Sequence, residues 1–167
     1  MKLLRLSLSA AALTTLAATA PAFAQGAQPA AASTAAPACA PITDTQVRGL
    51  FDRWNASLRT LDPDKVTANY APDGVLLPTV SNKPRTTPLE IRDYFVKFLQ
   101  AEPVGKIDNR IIRIGCNVAQ DVGTYTFTFK DGKSVNARYT YVYEHVNGQW
   151  LIAHHHSSAM PEVAAAK

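Results

Sequence analysis

The sequence predicts an α+β domain in which helices come first and an antiparallel sheet follows. Before Gly105, apolar residues recur at three- and four-residue steps, a spacing typical of helices that bury one stripe of side chains. After Gly105 the period changes to two, and the dipeptides Asp131-Gly132 and Asn147-Gly148 separate the alternating segments. Such dipeptides are typical of β-hairpin turns. Helices followed by a meander of strands indicate the α+β class.

Two helices are predicted at the start of the domain. The first lies within residues 43–61, with Thr43 or Asp44 as its N-cap. Its buried stripe consists of Val47, Leu50, Phe51, Trp54, Leu58 and Leu61. A short second helix follows, because Asp62 fits the N-cap and Pro63 fits the first helical position.

A short strand and a third helix are predicted next. Residues 74–80 have the composition of a strand, and Pro78 restricts this strand to the edge of a sheet. Thr87, Pro88 and Glu90 occupy the N-cap, N1 and N3 positions of a capping box, and they begin the third helix. The buried stripe of this helix consists of Ile91, Tyr94, Phe95, Phe98 and Leu99.

Four further strands are predicted, and their alternation defines two faces of a sheet. The strands cover residues 107–118, 124–130, 135–146 and 149–157. A three-residue turn over residues 131–133 places the aromatic residues on one face, and these are Tyr125, Phe127, Phe129, Tyr139, Tyr141 and Tyr143. This aromatic face is expected to receive the helices. The opposite face carries threonines and Val142, and its β-branched character suggests a second sheet packed on it, as in a dimer.

The N-terminal residues have the pattern of a bacterial signal peptide. Lys2 and Arg5 precede an apolar run, and a small-x-small pattern ends at Ala24, where we expect cleavage. A retained membrane anchor is the alternative. Residues 25–41 are rich in Ala and Pro, which indicates a flexible linker, and residues 42–163 are expected to form a single domain. The mature protein is therefore expected to be periplasmic or secreted, with no membrane segment.

The charge of the chain argues against nucleic acid as a partner. The chain has 17 Lys and Arg residues against 13 Asp and Glu residues, and two of the basic residues lie in the signal peptide. The other basic residues are scattered, so no cluster is available to follow a phosphate backbone.

Cys39 and Cys116 are the only two cysteines of the chain. Export places them in an oxidising compartment, where we expect them to form a disulfide, and two free thiols are the alternative. Closing so long a loop is worth up to about 4 kcal/mol of unfolding free energy in the chain-entropy model.

Two stretches of the sequence carry a resemblance to a known family. They are DYFVKFL in the third helix and YTYVYEHVNGQWLIAHHHSS at the end. Together with the order of elements, they resemble the nuclear transport factor 2-like superfamily, to which SnoaL-like proteins belong. More narrowly, the chain resembles the association domain of calcium/calmodulin-dependent protein kinase II and its stand-alone bacterial relatives. Trp150, His154, His156 and Ser158 match the W-x-x-x-H-x-H-x-S pattern in the last strand of that family.

The resemblance implies a cone-shaped domain in which a strongly curved antiparallel sheet wraps the N-terminal helices around a pocket. It also implies a homo-oligomer, a dimer or larger. It implies no kinase activity, because the sequence contains neither a phosphate-binding glycine loop nor a kinase catalytic-loop motif. In the kinase relative, pocket arginines bind carboxylates at the positions where this chain has Phe127, Tyr141 and Ser157. Binding of an acid in that manner would therefore need Arg113 or Arg138 in this chain.

Three consecutive histidines end the last strand, and alternation lets at most two of them act on one face. A simple two-residue turn pairs Tyr141 with His154 and places His154 and His156 beside the tyrosines. A bulge or a longer turn brings in His155 and Ser157 instead. A zinc or copper site is disfavoured, because no third ligand is evident near His154 and His156.

Two functions fit these features. The first is an exported homo-oligomer that binds a small organic ligand in the cone-shaped pocket without catalysis. The second is a small enzyme of the isomerase, cyclase or dehydratase type, with a pocket His or Asp as the general acid/base. Neither needs a cofactor or a metal. His154 and His156 are the candidate catalytic residues, and the alternative is that these histidines form hydrogen bonds within the sheet or across a dimer interface. The candidate ligand-binding residues are Trp54, Tyr94, Tyr125, Arg138, Tyr139, Tyr141 and His155.

Overall fold

The computed structural model describes residues 38–161, so the predicted signal peptide and most of the predicted linker lie outside the described residues. In chain order the elements are α1 (Asp44–Leu58), α2 (Pro63–Thr67), β1 (Tyr70–Leu77), α3 (Pro88–Phe98), a 3-10 turn (Leu99–Ala101), β2 (Val104–Gly115), β3 (Val118–Thr128), β4 (Ser134–Val146) and β5 (Gln149–Ala159). The predicted α+β class is confirmed.

The helices begin where the predicted capping residues lie. Thr43 caps α1 in a complete capping box. The Asp62 carboxylate accepts from two backbone N–H groups at the start of α2. The Thr87 hydroxyl accepts from the backbone N–H of Glu90, whereas the Glu90 carboxylate accepts from the N–H of Thr86, one residue before the N-cap. Each cap satisfies backbone donors that the first turn of a helix leaves unpaired.

The five strands form one sheet in the order β1-β5-β4-β3-β2. Strand β1 runs parallel to β5 at the sheet edge, where Pro78 predicted it, and the other neighbours are antiparallel. Several predicted boundaries are wrong. Helix α1 ends at Leu58, so Leu61 is exposed and not part of the buried stripe, and β1 begins at Tyr70 and not at residue 74. Strand β2 ends at Gly115 and β3 already begins at Val118. The tight turn between them depends on Asn117, whose φ of 57° lies in the left-handed region that asparagine tolerates.

The sheet is curved and does not close. Register shifts interrupt the pairing of β2 with β3 next to Ile107, and of β4 with β5 next to Tyr143. Each shift inserts one extra residue, which bends the strand and increases its twist. Gly123 allows a close approach at the first bend, because a Cβ there would overlap the Asn109 carbonyl group.

The aromatic face of the sheet forms the core together with the helices, as predicted. Trp54 of α1 and Phe95 of α3 each have about 1% of their surface exposed, and they pack edge-on at 6.2 Å between ring centroids. The tyrosines facing them are also buried: Tyr125, Tyr139, Tyr141 and Tyr143. The predicted disulfide between Cys39 and Cys116 is present, and it links the segment before α1 to the turn between β2 and β3.

None of the helices within residues 38–161 has the length and apolar character of a membrane span.

Candidate functional site

The pairing of β4 with β5 decides which histidine faces the core. Tyr143 pairs with Ile152 and Val142 pairs with His154, so Ala153 is an extra residue in β5. The simple register, which would pair Tyr141 with His154, is therefore not the one adopted. The bulged alternative is present: Tyr141 pairs with His155. Because a one-residue shift exchanges the faces of a strand, His155 lies inside and its two neighbours lie outside.

A chain of hydrogen bonds passes through the buried His155 imidazole. The Tyr70 hydroxyl lies 2.9 Å from Nδ1, and the Tyr125 hydroxyl lies 3.4 Å from Nε2. The Tyr125 hydroxyl donates to Ser157 Oγ at 2.6 Å, and Ser157 Oγ in turn contacts Thr79 Oγ1. Strands β1, β3 and β5 and the segment after β1 thus contribute five polar side chains to one continuous network.

Two aromatic rings hold the imidazole in place. Tyr141 stacks on it, with 4.1 Å between the ring centroids and an interplanar angle of 22°. Trp54 meets it edge-on at 5.4 Å. Burial, followed by the proximity of His154 and His156, lowers the pKa of His155 to about 3. The imidazole is therefore neutral at physiological pH, with one nitrogen a donor and the other an acceptor.

A small cavity of about 20 Å³ lies beside this network. Its polar lining comes from Thr79, Tyr125, His155 and Ser157, and the rest of its lining is mostly aromatic. One water molecule needs about 10–15 Å³ by this measure, so the cavity has room for one. An aromatic ligand would fit in this cavity only if the aromatic side chains that line it were displaced.

Tyr94 and Phe98 of α3 form the outer wall of the cavity. Both residues line the cavity and also a broad external groove of about 750 Å³. Their rings stack at 5.5 Å, and the Arg85 guanidinium lies 6.0 Å from the centre of the Tyr94 ring. Burial raises the pKa of Tyr94 to about 12, with Arg85 acting in the opposite direction, so its hydroxyl stays protonated.

A second polar cluster lies buried on the same face of the sheet. Asp121 of β3 forms an ion pair with Arg110 of β2, with 3.0 Å between Oδ2 and Nη2. Asp121 also accepts from the Tyr139 hydroxyl at 2.8 Å. Burial raises the pKa of Asp121, although Tyr139 and Arg110 both act to lower it. Arg110 lies over the Phe51 ring at 5.6 Å, so this cluster joins β2 and β3 to helix α1.

The predicted site residues separate into two groups. Those that line the small cavity or contact the imidazole are Trp54, Tyr94, Tyr125, Tyr141 and His155. Tyr139 lies on the same face but bonds to Asp121. His154, His156 and Arg138 lie on the outer face of the sheet, and Arg138 donates to the Ala159 carbonyl. Burial, followed by His156, lowers the pKa of His154.

Tyr70, Thr79 and the Arg110–Asp121 pair were not among the predicted site residues. Tyr70 and Thr79 reach the site because β1 pairs in parallel with β5, a long-range contact that no local spacing indicates. Asp121 could have been found from the sequence, because a charged residue at an inward-facing position of a strand indicates a buried polar partner. Among residues 38–161 no three His, Cys, Asp or Glu side chains converge in the manner of a metal site.

The outer face of the sheet carries two rows of paired side chains. One row consists of Val75, His154, Val142, Gln120 and Arg113. The other row consists of Leu77, His156, Thr140, Val122 and Ile111. The second row is mostly apolar or β-branched, and Ile111 at its end is 54% exposed. None of the helices within the described part of the chain, residues 38–161, packs on this face, since the core lies on the other side of the sheet.

Comparison with known proteins identifies the family. The family described as the calcium/calmodulin dependent protein kinase II association domain matches residues 43–161. The chain belongs to this association-domain family. A crystal structure from Xanthomonas campestris, described as such an association domain, is 52% identical, with a TM-score of 0.70 over 77% of this chain and 95% of that chain. The search of curated proteins finds no match.

More distant structures share the fold of this association domain. A nuclear transport factor 2-like protein of unknown function from Pseudomonas putida KT2440 is 20% identical, with a TM-score of 0.64 over 74% of this chain and 90% of that chain. The iota-carbonic anhydrase from a cyanobacterium, solved in complex with bicarbonate, is 23% identical, with a TM-score of 0.66 over 72% of this chain and 94% of that chain. At these identities the likeness shows a common fold alone.

The depressed pKa of His155 predicts an acid-sensitive fold. Between about 3 and the ordinary value of 6.5 the unfolded imidazole binds a proton that the folded one does not. Stability present above pH 6.5 is therefore lost as the pH falls toward 3. Urea unfolding at several pH values should show that His155→Gln loses this part of the pH dependence, whereas the exposed His156→Gln retains it. A stability difference between wild type and His155→Gln that does not change with pH would contradict a buried neutral imidazole.

Proposed function

We propose that this association domain is a cofactor-free enzyme of the lyase type that interconverts carbon dioxide and bicarbonate in the small cavity. The observation that carries the proposal is the combination of a space for very few atoms with four polar side chains, Thr79, Tyr125, His155 and Ser157. Such a lining is suited to a compact oxygen-rich molecule. The cyanobacterial iota-carbonic anhydrase, solved with bicarbonate, shares the fold alone, so the proposal rests on the lining of this cavity.

Hydration of carbon dioxide needs a positioned water molecule and donors for the oxygens that become negative. In the proposed reaction the water oxygen bonds to the carbon atom while the π bond of one C=O breaks and its electron pair moves to that oxygen. One water O–H bond breaks, the proton leaves to solvent buffer, and bicarbonate remains. The hydroxyl of Thr79 donates to an oxygen of the forming bicarbonate as charge develops there, and Ser157, which contacts Thr79 Oγ1, holds that hydroxyl in place. His155, with a pKa lowered to about 3, is too weak a base to store the proton, so its role is to orient the hydroxyls.

The size of the cavity favours this reaction over the binding of a larger organic ligand. A ligand of three or four heavy atoms requires a small displacement of the Tyr94 and Phe98 rings, which separate the cavity from the external groove. An aromatic ligand requires displacement of several buried rings, which form a closely packed core. In this proposal the catalytic role predicted for His154 and His156 belongs instead to His155 and its hydroxyl partners.

We propose in addition that the protein is exported. The signal-peptide pattern before Ala24 and the Cys39–Cys116 disulfide support this location, because such bonds persist in oxidising compartments.

The catalytic proposal predicts measurable hydration of carbon dioxide by the metal-free protein. In stopped-flow assays with a pH indicator, activity should persist after chelator treatment. It should fall by about tenfold in Ser157→Ala, because the Thr79 hydroxyl loses the partner that directs its O–H toward the developing charge. Ser158→Ala is the matched control, because the neighbouring hydroxyl lies on the outer face. No acceleration by the wild-type protein, or equal activity of Ser157→Ala and wild type, would contradict the proposal.

A second proposed function is homo-oligomeric assembly through the outer face of the sheet. The row from Leu77 to Ile111 is the specific observation in its favour. Partly exposed β-branched side chains on a sheet face that no described helix covers are typical of contact surfaces. A second copy of the chain fits this surface, since membership in an association-domain family favours self-contact.

The assembly proposal predicts that a charge within this row separates the subunits. Val122→Arg should convert a dimer or larger species into a monomer in light-scattering chromatography, because the arginine would be buried without a partner. Leu89→Arg is the control, since Leu89 is 66% exposed on α3, away from the sheet face. A monomeric wild-type protein, or an unchanged mass for Val122→Arg, would contradict assembly through this face.

A further inference from the structure

The hydrogen-bond chain around His155 can run in two opposite directions. Hydroxyl groups and a neutral imidazole each donate one hydrogen bond and accept another. The direction of the hydrogen bond at one end of the chain therefore fixes the direction of all the others. The members in order are Tyr70, His155, Tyr125, Ser157 and Thr79. The two directions differ in which end is left with an O–H group that has no acceptor within the chain.

In the first direction Tyr70 donates to Nδ1, and the proton of His155 lies on Nε2, facing Tyr125. The Tyr125 hydroxyl then donates to Ser157, which donates to Thr79. The last free O–H belongs to Thr79, which is only half-buried and lines the cavity. A water molecule or a ligand oxygen can accept from it there.

In the reverse direction Thr79 donates into the chain, Tyr125 donates to Nε2, and Nδ1–H donates to Tyr70. The free O–H then belongs to Tyr70, which is 6% exposed and has no hydrogen-bond acceptor other than His155 within residues 38–161. An unsatisfied buried donor is costly, so the first direction is favoured by about tenfold or more.

We infer that Tyr70 is a positioning residue that fixes the proton of His155 on Nε2 and thereby makes the Thr79 hydroxyl a donor into the cavity. The site then selects a ligand with an acceptor oxygen, such as an anionic carboxylate-type oxygen. The ligand part of this inference rests on the proposed function, whereas the tautomer of His155 does not. Tyr70 does not line the cavity, so it acts through His155 alone.

The tautomer is tested first in the wild-type protein without any substitution. Imidazole nitrogen chemical shifts distinguish a protonated nitrogen from an unprotonated one. Protonation of Nε2, with a pyridine-type Nδ1, is the expected result for His155. Protonation of Nδ1 in the wild type would overturn the inference.

Tyr70→Phe is the second test, with Tyr143→Phe as the matched control. Both changes remove a buried phenol hydroxyl on the same face, and the Tyr143 hydroxyl has no hydrogen-bond partner among the described residues. Tyr70→Phe should populate both tautomers about equally and weaken bicarbonate binding by about twofold, since only about half of the population presents the Thr79 donor. Tyr143→Phe should leave both unchanged.

The two readouts separate this inference from the proposed function. If the wild-type protein does not bind bicarbonate in a titration, the proposed function fails, while the tautomer measurement still decides the role of Tyr70. If bicarbonate binds and Tyr70→Phe keeps both the wild-type tautomer and the wild-type affinity, the positioning role is overturned. Tyr143→Phe is the control, and it is expected to change neither the tautomer of His155 nor the affinity for bicarbonate.

Discussion

The single extra residue in β5 is the constraint on which the site depends. Ala153 has no partner opposite it in β4, so every residue after it faces the side opposite to that of a regular strand. This shift turns His155 and Ser157 toward the core and leaves His154 and His156 on the outer face. The buried network, the small cavity and the composition of the outer face all follow from that one step in register.

The interior accommodates an imidazole because its polar atoms are satisfied and its ring is packed. Tyr70 lies at one nitrogen and Tyr125 at the other, while Tyr141 stacks on the ring. Burial then favours the neutral form of the imidazole. A neutral imidazole accepts one hydrogen bond and donates another, so it fixes the direction of the hydrogen bonds on either side of it. The charged groups on the same face, Arg110 and Asp121, are compensated separately by their ion pair.

Much of the fold could be predicted from the sequence, and the site only in part. Local signals sufficed for the helix starts at Asp62 and Thr87 and for the Asn147-Gly148 turn, because each depends on neighbouring residues. The turn at Asn117 was missed, since a lone asparagine is a weak signal. The sequence allowed both the simple and the bulged pairing of β4 with β5, because the register of two strands depends on how their whole faces pack. Tyr70 and Thr79 join the site through parallel pairing with a strand about eighty residues away, which no spacing reveals.

The central claim is that His155 is a buried, neutral imidazole held between tyrosine hydroxyls, and its own titration tests this most directly. Assigned imidazole resonances of the wild-type protein, followed by nuclear magnetic resonance as the pH is lowered, distinguish His155 from the three other histidines of the chain. We predict that His155 stays neutral until its pKa of about 3 is approached or the protein unfolds. Titration of His155 in the folded protein near the ordinary value of 6.5 would contradict the account.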